Sequence, residues 1–146
     1  MARNVLSVVL GLIVGMAVNM GLITLNSSVL YPMPEGVTFE DTAGFQAYLD
    51  TLPTPAFLMV MAAHLGQALV GGWVAARLSA SAPVRLALIV GAITLAGGVQ
   101  MLLTVKGPVW MWAEVPLYLL LAFLAGRRVE AARAASGGGA TGKREA

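Results

Sequence analysis

Two side chains could do chemistry here: His64, the only histidine in the chain, and Glu114. An imidazole beside a carboxylate can hold or move a proton, and in an apolar setting each is costly unless paired, hydrated or neutralised. Each lies thirteen residues before an arginine, His64 before Arg77 and Glu114 before Arg127. On a helix that interval is a rise of about 20 Å. If the arginines mark one surface, the two groups share one depth. Three amides belong to the same expected layer: Asn19 and Gln100 reach a similar height from the other direction, and Gln67 sits one turn from His64. A candidate polar site of His64, Glu114, Asn19, Gln67 and Gln100 follows. The same amides and the imidazole could equally be structural, joining helices through hydrogen bonds worth around 0.6 kcal/mol each.

Other chemistries find no residues. The sequence contains no Cys, which removes disulfides, thiolate catalysis, iron–sulfur ligation and Cys-rich zinc sites, and one His makes no multi-His metal site. There is no paired-carboxylate spacing and no serine with an activating base. Gly137 to Lys143 spells the start of a phosphate-binding loop, but Arg144 stands where Ser or Thr is required and no strand precedes it. The expectation is a non-enzyme with no catalytic residue, cofactor or metal.

The elements that must position the polar layer are set by composition. Of 146 residues, 58% are hydrophobic and 11% charged, with a mean hydropathy of +0.82; soluble domains carry roughly 25% charged residues. So little polar surface cannot cover a water-facing globule, and lipid must be the main solvent. Four apolar runs, Val5–Leu25, Ala56–Ala76, Leu86–Val105 and Val109–Ala125, are each long enough to cross a hydrocarbon core of roughly 30 Å. The first is too long for a signal-peptide core and is read as a retained helix. The fold expected is all-α: a four-transmembrane-helix bundle with helices at about 5–25, 56–76, 86–105 and 109–126. Residues 1–130 form one membrane domain and 131–146 a cytoplasmic tail, mostly disordered, with the last helix running on through Arg133 until Gly137-Gly138-Gly139.

Cations orient the bundle. Arg3, Arg77, Arg85, Arg127, Arg128, Arg133, Lys143 and Arg144 fall on one side and only Lys106 on the other, which places both termini in the cytoplasm of a bacterial inner membrane. The net charge of +2 does not point to nucleic acid, because the cations flank apolar runs instead of forming a stripe beside stacking aromatics. Tyr31 to Thr54 is the one long outer connection. Thr38-Phe39-Glu40-Asp41 has capping-box spacing, and Phe45, Tyr48, Leu49 and Leu52 follow at helical intervals, which predicts a short interfacial amphipathic helix from Phe39 to Thr51. It could serve only to shield helix ends, or act as a lid.

Helices in lipid associate by close packing, so rows of small residues mark protein-facing sides. Such rows hold Gly11 and Gly15 before Asn19; Ala68, Gly72 and Ala76 after His64; and Gly91 and Gly98 on one face of the third run. In the fourth, Trp110, Glu114, Tyr118, Ala122 and Gly126 share a row. The polar groups therefore point into the bundle. A weak echo runs through the chain: Leu12-Ile13-Val14-Gly15 recurs as Leu88-Ile89-Val90-Gly91, Gly21 matches Gly97, and Ala75-Ala76-Arg77 resembles Ala125-Gly126-Arg127. A duplicated hairpin and chance matching in apolar sequence both explain it.

The stretches Ala62-Ala63-His64-Leu65-Gly66-Gln67, Gly71-Gly72-Trp73-Val74-Ala75-Ala76-Arg77 and Gly107-Pro108-Val109-Trp110 resemble a class of small bacterial four-span inner-membrane proteins. The resemblance covers most of residues 1–130 and implies no activity, since none is assigned to that class. Two functions remain open: a non-catalytic accessory, scaffold or oligomeric membrane subunit, or a small oligomeric transporter or channel. The partners expected are the lipid bilayer and either further copies of the chain or a membrane complex. A dry, hydrogen-bonded polar layer would favour the first function, and a water-accessible pocket around Glu114 the second.

Overall fold

The computed structural model describes residues 1–138, with side chains to Ser136, and the regular structure of that part of the chain is all helical, without a strand. Four helices are long and apolar enough to cross a membrane. Helix α1 (Ala2–Leu25) runs on through a π-helical turn at Asn26–Leu30, α3 covers Thr54–Leu78, and α4 covers Pro83–Thr104. The last begins with a 3-10 turn at Val109–Ala113 that passes directly into α5 (Glu114–Gly138). A short helix, α2 (Thr42–Asp50), lies between α1 and α3. The spans extend beyond the apolar runs because their first turns accept prolines: Pro55 and Pro83 sit where a missing N–H has no partner to lose.

At the far end, α5 does not stop near Gly126. That glycine is packed against α4 at a position where a Cβ would lie 2.7 Å from Val84 Cα, so it serves close approach and not termination. Beyond it Val129 is buried against Ala76 and Ala87, and Arg127 pairs with Glu130 at 2.8 Å. These contacts carry the helix to Gly138, in line with the continuation through Arg133 expected from the sequence. The remainder of the expected tail, with the phosphate-loop spelling's Lys143, lies outside the described residues.

Helix α3 is the centre of the bundle: α1 packs along one side of it, and α4 and α5 along the other. The seams are made of glycine and alanine. A Cβ on Gly11 would come within 2.5 Å of the Gly71 carbonyl oxygen, and one on Gly15 within 2.7 Å of that of Gln67. Between α4 and α5, a Cβ on Gly91 would meet Ala122 Cβ at 2.5 Å. Gly72 faces Ala122 with slightly more room, at 3.4 Å, and Ala68 and Ala76 are fully buried. Large apolar side chains are turned outward instead, among them Leu6, Ile13, Ile93 and Leu120. A small core and an apolar surface reverse the order usual in water-soluble proteins, in keeping with helices long and apolar enough to cross a membrane.

Both ends are tied. At the Arg-rich end, Arg133 Nη2 donates to the carbonyls of Ala76, Arg77 and Ser79 at 2.9, 3.1 and 3.0 Å, and Arg3 Nε donates to that of Leu78 at 3.1 Å. Two arginines from the first and last helices thus satisfy the orphan carbonyls that end α3. At the opposite end α2 folds its apolar face onto the protein. Tyr48 and Leu49 are buried against Phe57 and Met111, with Phe45 and Leu52 beside them. The helix starts three residues later than Thr38-x-x-Asp41 predicts, because Asp41 itself is the cap: its carboxylate accepts the Gly44 N–H at 3.1 Å, while Thr38 Oγ1 accepts the N–H of Asp41. Gln46 and Lys106 exchange two hydrogen bonds, at 3.1 and 3.2 Å, that latch α2 to the loop after α4. The Tyr48 hydroxyl donates to the Tyr31 carbonyl, and burial raises its pKa above the ordinary phenol value.

Candidate functional site

Glu114 is the first residue of α5, where the 3-10 turn gives way to α-helix, and its side chain is fully buried, with 0% exposed. His64, in the middle of α3, meets it there. Nδ1 of the ring lies 3.1 Å from Oε1 and 3.3 Å from Oε2 of the carboxylate. Whichever partner holds the proton, one donates and the other accepts. The Tyr118 hydroxyl, one turn along α5, donates to Oε1 at 3.3 Å. Imidazole, carboxylate and phenol form one network, in which the carboxylate and phenol are buried and the imidazole is partly exposed.

Local sequence explains each placement. Glu114 and Tyr118 are four residues apart and share the inward row of α5. Pro116 falls in the first turn of α5, where its missing N–H costs little. Tyr118 needs room for its ring, and Gly98 of α4 provides it: a Cβ there would clash with the phenol. The role of Tyr118 is absent from the residue types expected to form the site, although its spacing from Glu114 carries the signal.

The five-residue layer does not assemble as expected. Asn19 is buried on α1, which packs chiefly on α3, and no hydrogen bond among the described residues joins it to His64 or Glu114. Gln67 backs onto Gly15 in the α1–α3 seam. Gln100 is exposed, on the outer face of α4 beside Ala96, Leu103 and Thr104. Its distance along the helix is right and its direction is not: it follows Gly98 by two residues, about 200° around the helix. Asn26 is a further buried amide, not among the residues expected in the layer. Its Nδ2 donates to the Ala56 carbonyl at 3.3 Å, while Oδ1 is buried without a partner.

His64 and Glu114 are separated by 50 positions. The same offset separates Gly72 from Ala122, which touch, and Ala75-Ala76-Arg77 from Ala125-Gly126-Arg127. The echo therefore lays α3 and α5 side by side in register, and the polar pair occupies matching positions of the two. In the other helices of the echo, Gly15 and Gly91 are both close contacts, while Gly21 and Gly97 both face open space.

From the network toward α2 lies the cluster of Phe57, Met111, Tyr48 and Leu49. Toward the Arg-rich end lie Ala68, Gly72 and Ala122, packed without exposed surface. Among the described residues no group of three or more His, Cys, Asp or Glu side chains forms a metal site. Comparison with protein-family models, with curated proteins and with solved structures finds no match to this chain.

Proposed function

We propose that this chain is a four-span protein of a bacterial inner membrane, with both termini cytoplasmic and α2 at the outer surface, and that it acts as a non-catalytic accessory or scaffold subunit. Its partners in this reading are the lipid bilayer and either further copies of itself or the subunits of a membrane complex. The observation that carries the reading is the state of Glu114: fully buried and bonded to His64 and Tyr118. Its polar groups face one another and not a cavity, as in a network that fixes the arrangement of helices. Among the described residues six arginines, Arg3, Arg77, Arg85, Arg127, Arg128 and Arg133, lie toward one end and support the orientation.

A second reading, a small oligomeric transporter or channel, draws on His64, whose side chain keeps 13% of its surface accessible. Among the described residues its Nε2 faces no hydrogen-bond partner. Proton and alkali-cation flux into vesicles carrying the purified protein separates the two. A scaffold gives flux equal to empty vesicles, and Glu114→Gln changes nothing. Uptake that the wild-type protein supports and Glu114→Gln abolishes would replace the scaffold with the transporter.

A further inference from the structure

At the Arg-rich end, where α4 begins beside α5, the surface opens into a cleft lined by Ala82, Val84, Arg85, Phe123, Arg127 and Glu130. We infer that this cleft holds one anionic glycerophospholipid, with Arg85 and Arg127 on its phosphodiester and Phe123 and Val84 against the start of an acyl chain. The inference rests on the membrane reading above.

The back of the cleft is rigid. Gly126 packs so closely on α4 that its Cβ would stand 2.7 Å from Val84 Cα and 3.1 Å from Ala87 Cβ. Arg85 follows Val84 and Arg127 follows Gly126, so this one contact fixes the backbones from which both guanidiniums extend. A site already formed loses little in ordering when a ligand arrives.

The charges match a phosphodiester. Arg127 Nη1 bonds Glu130 at 2.8 Å, which steadies its guanidinium and leaves the remaining N–H groups for a ligand. Among the described residues no carboxylate pairs with Arg85. Two guanidiniums against one carboxylate leave one positive charge in excess, the complement of one phosphodiester, and guanidinium forks bind phosphate oxygens in pairs. A zwitterionic lipid would bring its own ammonium to the same place and gain less.

The vertical order is also that of a lipid. Phe123 lies one turn inward of Arg127 and is 41% exposed, so an apolar ring stands where chains would begin and charge stands where headgroups lie. Basic pockets between spanning helices at headgroup level are where anionic lipids lodge.

The test is native mass spectrometry of the purified protein released from mixed phosphatidylglycerol and phosphatidylcholine. The expected result is one retained phosphatidylglycerol per chain, reduced on the order of tenfold in Arg85→Gln/Arg127→Gln. Arg77→Gln, a charge lost from the same end but outside the cleft, should keep it, and Arg85→Lys/Arg127→Lys should keep part of it. Equal loss in Arg77→Gln, equal retention of the two lipids, or displacement by inorganic phosphate each overturns the inference. An unchanged thermal melt in detergent shows that the variants are folded. If alkaline carbonate strips the wild-type chain from membranes, the membrane reading itself fails; a chain that stays but holds no particular lipid sinks only the cleft.

Discussion

The phenol of Tyr118 occupies the space that a Cβ on Gly98 would need, so the only residue that α4 can present at this level of the site is a glycine. Tyr118 in turn bonds the Glu114 carboxylate. Gly98 therefore supports the network without a polar atom of its own.

Gly98→Ala should push the phenol from Glu114 and cost about 1–3 kcal/mol, the usual range for an overpacked core. Gly97 is the matched control, since nothing lies within 4 Å of a Cβ there. Gly97→Ala should leave the melting temperature in detergent unchanged or slightly raised. Equal melting of the two alanine variants would mean that Tyr118 does not lie against α4.

The His64–Glu114 pair should behave as one unit. Replacing either partner by alanine leaves the other buried without its bond, whereas replacing both removes the conflict. The double variant should therefore cost less than the two single ones together, with a coupling of about 0.5–3 kcal/mol. Because His64 is the only histidine, one labelled imidazole gives an independent reading. Its nitrogen resonances should move in Glu114→Gln and stay in place in Glu130→Gln, whose carboxylate lies at the Arg-rich end. Additive stabilities with an unmoved imidazole would dissolve the pair.

What the sequence could reveal follows from which coordinates of a helix it encodes. Length and hydropathy fix the spans, and counting from Arg77 and Arg127 fixes height along them, which is why His64 and Glu114 fall at one level. Azimuth depends on which neighbour a helix meets. Gln100 has the right height, but α4 turns Gly91, Thr94 and Gly98 inward and leaves the amide outside. The end of the last helix is legible, because the run through Arg133 to the glycines is local; the partners that Val129 and Arg133 find on other helices are not. Tyr118 could be placed on a face by spacing, yet its bond to Glu114 also needs the gap at Gly98, a relation between residues twenty positions apart.

The glycines of the seams should rank by what a methyl group would strike. Gly11→Ala drives it to 2.5 Å from the Gly71 carbonyl oxygen, a backbone atom that cannot swing aside. Gly72→Ala meets Ala122 at 3.4 Å, an ordinary contact, and Gly21→Ala meets nothing. Thermal melts should order the alanine variants Gly11, then Gly72, then Gly21, with Gly11→Ala losing about 1–3 kcal/mol. Gly72→Leu should be damaging where Gly72→Ala is not, because the larger side chain must part α3 from α5. If Gly72→Leu melts like wild type, that face of α3 is turned to lipid and His64 cannot face Glu114.

Orientation can be read with a reagent that does not cross membranes. The Arg-rich end carries Arg3, Arg77, Arg85, Arg127, Arg128 and Arg133, and α2 lies at the other end with Asp41 and Asp50. Moving that many guanidiniums across a membrane is costly, while carboxylates have little influence on insertion, so the arginines should remain in the cytoplasm. Thr42 and Ser136 are exposed at opposite ends, and the chain has no native Cys to confuse the result. In intact cells an impermeant maleimide should label Thr42→Cys and not Ser136→Cys; after the cells are opened it should label both. Labelling of Ser136→Cys alone in intact cells would invert the protein, and labelling of both would place the two ends on the same side and break the four-span arrangement.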